Sequence, residues 1–208
     1  MVWQGDFVTV VSGVPRSGTS LVMQMLAAGG VPVFSDGVRQ ADDDNPRGYF
    51  EHEAVKASAR DASWLAAASG RAVKVIHALI PHLPDGPELR VLFVEREMSE
   101  LLQSQARMIE RMGGSSRVDD EATARAFAAQ VEAALAQLAA RPRTAVLRLE
   151  HRELLAAPLR QAERMDVFLG EGLDREAMAA CVDPALHRQR GDPESEQQGQ
   201  PDRQRDCP

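Results

Sequence analysis

The segment Gly13-Val14-Pro15-Arg16-Ser17-Gly18-Thr19-Ser20 constrains this chain more than any other. It follows Phe7 to Val11, a β-branched apolar run, and such continuous runs suit strands buried on both faces of a parallel sheet. It precedes Leu21, Val22, Met25 and Leu26, whose spacing predicts a helix that Gly29-Gly30 stops. Strand, glycine loop and helix make one βα unit.

The rest of the chain repeats that alternation. Short apolar runs at Ala72 to Ile76, Val91 to Val94 and Ala145 to Leu149 read as further strands. Helices are expected around Glu53 to Ala68 and Ser99 to Met112, and where Phe127, Val131, Leu135 and Leu138 form one stripe. A last helix, Leu159 to Leu169, starts after Pro158 and stops at Gly170. The pattern predicts an α/β fold with a central parallel sheet flanked by helices, in three layers. One domain over residues 1–190 accounts for the length, and the polar stretch 191–208, with no aliphatic side chain to bury, is expected to be a disordered tail.

Composition narrows the partners. With 44% hydrophobic and 26% charged residues the chain is neither disordered nor fibrous, and its net charge of −7 disfavours non-specific binding to nucleic acid or anionic membrane. Any anion site must be local. No apolar run approaches the ~20 residues that span a bilayer, and no leader pattern opens the chain. Cys181 and Cys207 are too few for a disulfide framework or a cysteine zinc site, so a reducing cytoplasm is expected.

The loop has the frame G-x-x-x-x-G-K-[ST], with Thr19 where the lysine belongs. Backbone N–H groups of such a loop and the helix that follows cradle phosphate-like anions, and the hydroxyls of Ser17, Thr19 and Ser20 add donors. Without the lysine, γ-phosphate chemistry lacks its usual cation, whereas Arg16 offers a planar fork suited to a tetrahedral oxyanion.

These residues resemble a known family. Val14-Pro15-Arg16-Ser17-Gly18-Thr19-Ser20-Leu21 looks like the 5′-phosphosulfate loop of the sulfotransferases, in the form found in tyrosylprotein and many bacterial members. Arg96, just past the strand Val91 to Val94, and Ser104, eight residues on, resemble the pair that holds the nucleotide's 3′-phosphate there. Leu147 to Glu150, Leu154 to Pro158 and Phe168-Leu169-Gly170 resemble a third block of that family. The resemblance implies a P-loop NTPase-like fold and transfer of a sulfonate from 3′-phosphoadenosine 5′-phosphosulfate to a hydroxyl or amine, with no metal expected. The loop residues Arg16, Ser17, Gly18, Thr19 and Ser20 would bind the nucleotide with Arg96 and Ser104, and Arg16 would also meet the transferring group. Arg190, in a weak likeness of a basic C-terminal segment, would close on the 3′-phosphate.

The proton acceptor has two candidates. Asn45-Pro46-Arg47-Gly48-Tyr49-Phe50-Glu51 resembles a segment of bacterial sulfotransferase-like proteins, which implies Glu51 as base. His77 is the rival, since Lys74 and His77 approximate a Lys-x-His pair at a spacing one residue too long. On a continuous strand residues three apart face opposite ways, so both enter one pocket only if the strand ends or bulges between them. Lys74 itself matches the lysine that contacts the moving sulfonate in that family. Two other readings stay open: a kinase-like phosphotransferase using Glu95 as a magnesium carboxylate, and a catalytically degenerate nucleotide-binding module. The acceptor and the oligomeric state are not legible in the sequence.

Overall fold

A computed structural model describes residues 5–41, 48–111 and 120–182. Among them, strands β1 (Val8–Gly13), β2 (Ala72–Lys74), β3 (Leu89–Glu95) and β4 (Thr144–Glu150) form one parallel sheet in the order β2-β1-β3-β4. The helices are α1 (Thr19–Ala28), α2 (Glu53–Lys56), α3 (Trp64–Ala67), α4 (Met98–Arg111), α5 (Asp120–Ala140), α6 (His151–Ala156), α7 (Pro158–Leu169) and α8 (Arg175–Ala180). The register sets Val10 beside Val73 and Val91, and Val91 beside Val146. Every residue of β1 is buried, as its unbroken apolar run requires of a central strand.

Alternation along the strands feeds two cores. Val11, Leu92, Val94 and Leu149 meet α1, α6, α7 and α8 through Val22, Met25, Leu154, Met165 and Met178. Val8, Val10, Val73, Val91 and Phe93 meet α2, α3 and α5 through Val55, Trp64, Leu65, Ala134 and Leu138. This is the layered α/β architecture that the strand and helix patterns predict.

Three local features depart from the sequence reading. The helix expected over 53–68 is two short ones, because side chains compete for the backbone: Ser58 Oγ donates to the Val55 carbonyl at 2.5 Å, and Asp61 Oδ1 accepts the Ser63 N–H at 2.9 Å. β2 ends at Lys74, short of the Ile76 expected from sequence, and a 3-10 turn over His77–His82 follows. Helices α6 and α8 were not anticipated. α8 is tied to α7 by buried Asp166, which accepts from Leu173 N at 2.8 Å and Arg175 Nε at 2.6 Å.

The sheet edges differ. At β2 the chain segment before it closes the edge, with Ala72 N donating to Pro32 O and Phe34 N to Ala72 O, both at 2.8 Å. β4, at the other edge, is largely half-exposed or exposed. No helix among the described residues is long and apolar enough to cross a membrane. The expected tail, with Arg190, lies outside the described residues.

β1 runs into the loop at Gly13, where a Cβ would lie 2.5 Å from both Ser17 Oγ and the Val94 carbonyl oxygen. No rotamer relieves contact with a backbone oxygen of the neighbouring strand. Gly13→Ala should lower unfolding free energy by about 1–3 kcal/mol, seen as a lower urea midpoint at an unchanged m-value. A wild-type midpoint would mean that the junction adjusts freely.

Candidate active site

The loop after β1 turns tightly, with Ser17 N donating to Val14 O at 3.0 Å and Arg16 at φ 74°. Gly18 caps α1 at φ 109°, and a Cβ there would sit 2.6 Å from His151 Cδ2. The first N–H groups of α1 have no partner within the helix, so this ten-residue helix presents donors and the positive end of its dipole to the cavity beside it. Gly18, Thr19 and Ser20 line that cavity, whose volume is about 510 Å³. Ser17 does not. Its N–H closes the turn and its hydroxyl is buried against Gly13.

At one end of the cavity the structure unites residues far apart in sequence. Arg16 Nε donates to Ser104 Oγ at 3.1 Å, and Arg96 Nη1 donates to the Arg16 carbonyl at 3.2 Å. Arg96 follows the C-terminal end of β3 and Ser104 lies in α4, on the side where ligands meet open α/β sheets. Burial draws the Arg96 pKa down, while the Glu100 carboxylate, 3.2 Å from Arg96 Nε, holds it up and orients the guanidinium. Arg152 Nε, at 3.1 Å, takes the other Glu100 oxygen. Burial opposes the charge on Glu100, but hydrogen bonds from Arg152 and Arg96 prevail and keep its pKa low.

Lys74 stands between this end and the other. It has the strand parity of Ala72, on the α1 side, and its Nζ contacts Tyr49 O at 3.0 Å, Ser20 Oγ at 3.3 Å and Glu51 Oε1 at 3.5 Å. Burial lowers the Lys74 pKa, and Glu51 partly restores it. The Glu51 carboxylate also receives Arg39 Nη1 at 2.8 Å and Lys56 Nζ at 3.0 Å. Burial works to raise its pKa, but the Lys56 hydrogen bond and the charges of Lys74 and Arg39 outweigh that and bring it below the ordinary glutamate value. Arg39 lies over the Tyr49 ring, 3.4 Å from its centroid. His52 caps α2, its Nδ1 accepting from Ala54 N at 3.1 Å, and stacks on Phe34.

Most of the expected site residues therefore share one cavity: Arg16, Gly18, Thr19, Ser20, Glu51, Lys74, Arg96 and Ser104 all line it. Arg16 turns its guanidinium to Ser104, so it joins the Arg96 end and not the Lys74–Glu51 end. His77 is absent from the wall. It is buried beyond the end of β2, between the Gly13 carbonyl at 3.3 Å and Gln130 Oε1 at 2.8 Å. The strand does end between Lys74 and His77, and the 3-10 turn carries His77 into the packing under the loop. Glu95 gives both carboxylate oxygens to Arg148, at 2.7 and 2.6 Å, and does not line the cavity.

Sequence reasoning missed Arg39, Tyr49, Lys56 and His151. Tyr49 lies inside the segment that singled out Glu51, so its ring was a readable signal. His151 follows the last strand directly, at the C-terminal edge of the sheet; it is 8% exposed and packs behind Gly18. Arg39 and Lys56 carry no motif and could be found only in three dimensions.

No protein-family model matches this chain, and no curated protein matches it. Solved structures do. The sulfotransferase domain of the olefin synthase from Synechococcus PCC 7002 superposes with a TM-score of 0.52 at 16% identity, covering 89% of this chain and 90% of that one. A sulfotransferase from Alicyclobacillus acidocaldarius gives 0.48 at 15% identity over 90% of this chain and 98% of that one. The sulfotransferase domain from the curacin biosynthetic pathway gives 0.47 at 14% identity, over 89% and 90%. At such identities the likeness is one of architecture: this chain shares the fold of the olefin synthase sulfotransferase domain.

Proposed function

We propose that the protein transfers a sulfonate from 3′-phosphoadenosine 5′-phosphosulfate to a hydroxyl acceptor, or to an amine. The observation that carries this reading is Lys74, whose ammonium touches Ser20 on the phosphate loop and Glu51 on the opposite wall. Transfer needs a cation where negative charge moves between donor and acceptor, and a base beside it for the acceptor proton. The acceptor oxygen bonds to sulfur as the bond from sulfur to the 5′-phosphate oxygen breaks, and Glu51 takes the proton. The N-terminus of α1 with Thr19 and Ser20 suits the 5′-phosphate, and Arg96, Ser104 and Arg16 suit the 3′-phosphate. Five cationic side chains and one carboxylate line the cavity of a chain whose net charge is −7, which supports a polyanionic ligand. The phosphotransferase alternative needs Glu95 for metal, and Arg148 already occupies that carboxylate.

Adenosine 3′,5′-bisphosphate should raise the melting temperature without added metal, and more than ATP with magnesium does. Arg96→Ala should weaken bisphosphate binding by about 1.5–3 kcal/mol, or about 10–150-fold, as expected for loss of a charged hydrogen-bonding partner. Arg16→Ala should lower binding and kcat/KM in parallel, because its guanidinium belongs to the Ser104 end. A melting point that answers to ATP with magnesium and ignores the bisphosphate would sink the assignment.

The Lys74–Glu51 end should behave differently. Lys74→Met should reduce kcat by about 10²–10³ while bisphosphate affinity stays near wild type. Glu51→Gln should reduce turnover by about 10²–10⁴, with the same spared affinity. A base works in its deprotonated form. Burial pushes Glu51 up and its cations outweigh that push, so the acid limb of kcat/KM, which reports the free enzyme, should lie below pH 4.5, the ordinary glutamate value. Lys56→Met removes the hydrogen bond that does most to lower the Glu51 pKa, and should move that limb to higher pH. Full activity in Glu51→Gln would return the search for a base to other groups.

A further inference from the structure

The cavity continues past Lys74 into a region that the nucleotide does not explain. Val55, Ile76 and Leu79 give that part of the lining its apolar groups, and Arg39 and Lys56 give it cations. Glu51 is the carboxylate on that wall, and three cations hold it. Lys56 also pairs with exposed Glu53, at 2.7 Å. Among the described residues Arg39 has no second acid. It gives Glu51 one N–H through Nη1, its Cζ lies over the Tyr49 ring, and its Nε and Nη2 edge has no protein partner among the described residues. Its side chain remains 42% exposed.

A guanidinium held over an aromatic ring with one edge open is preorganised for a planar oxyanion, because two parallel N–H groups match two carboxylate oxygens. Serving Glu51 alone would require neither the stacking nor the open edge. We infer that the acceptor is an amphipathic hydroxy acid, whose carboxylate docks on the open edge of Arg39 and whose apolar body lies against Val55, Ile76 and Leu79. Its hydroxyl then reaches Glu51 and Lys74, and since Arg39 and Glu51 are in direct contact, carboxylate and hydroxyl are separated by a few bonds. The arriving carboxylate also balances the surplus of cations around Glu51, and a second negative charge nearby makes Glu51 hold a proton more strongly. Substrate binding thus strengthens the base.

This inference rests on the sulfonate-transfer reading, and the test separates the two. Protein saturated with adenosine 3′,5′-bisphosphate is titrated calorimetrically with 3-hydroxydecanoate and with its primary amide, which differ in charge and not in skeleton. The acid should bind at least about tenfold more tightly than the amide, the worth of one charge-assisted hydrogen bond. In Arg39→Gln the two ligands should bind within about twofold of each other, with bisphosphate affinity retained. A residue that only positioned Glu51 would leave the preference for the acid intact, and that result overturns the inference. Equal binding of acid and amide by the wild type, or binding of neither, overturns it as well while leaving sulfonate transfer standing. Failure of the wild type to bind the bisphosphate removes the functional reading, and the inference with it.

Discussion

A buried ammonium organises this site. Lys74 sits at the end of the edge strand β2 with 8% of its side chain exposed, where an unpaired charge would be expensive to hold. Its needs are met from three directions: a hydroxyl on α1, a backbone carbonyl at Tyr49, and the Glu51 carboxylate. Each contact fixes a different segment. The loop between β1 and α1 is thereby referenced to β2, and the segment 49–51, which belongs to no helix or strand, is drawn against the sheet edge. Arg39 and Lys56 then gather on Glu51, so the wall opposite the loop is assembled on one carboxylate.

The Arg96 end is built on a similar device. Glu100, a buried carboxylate, holds Arg96 in place and takes Arg152 as well. In both halves an acid is spent to orient cations, and in both the cations exceed the acids. The outcome is a local positive cavity in an acidic protein, with charges held in fixed geometry so that little reorganisation accompanies ligand arrival.

Much of this was legible in the sequence. The β1–loop–α1 unit could be read because an apolar strand, two glycines and a helical stripe agree locally on one structure. Arg96 and Ser104 could be paired because one follows a strand and the other lies in the next helix, on the same side of the sheet. What failed to be legible depended on contacts between distant segments. His77 looked like a strand residue until the strand was seen to stop at Lys74, and nothing local to Ala72–His77 announces that stop. The break between α2 and α3 turns on Ser58 and Asp61, residues compatible with a helix until their side chains take backbone partners. The guanidinium of Arg16 could be assigned to the loop but not aimed, since Ser104 lies 88 residues away.

The two edges of the sheet have an unequal consequence for how copies of this chain can meet. At β2 the backbone groups of Ala72 are already engaged by the segment around Pro32 and Phe34. β4 is longer, pairs with β3 along its whole length, and is largely half-exposed or exposed among the described residues. Unsatisfied strand edges template pairing with other strands, and proteins blunt them with charge. Arg148 and Glu150 do so here, and Arg164 Nη2 reaches the Arg148 carbonyl at 3.3 Å. Sheet extension is therefore polar in direction: a foreign strand would be admitted only alongside β4, and only by displacing the guanidinium groups that guard it.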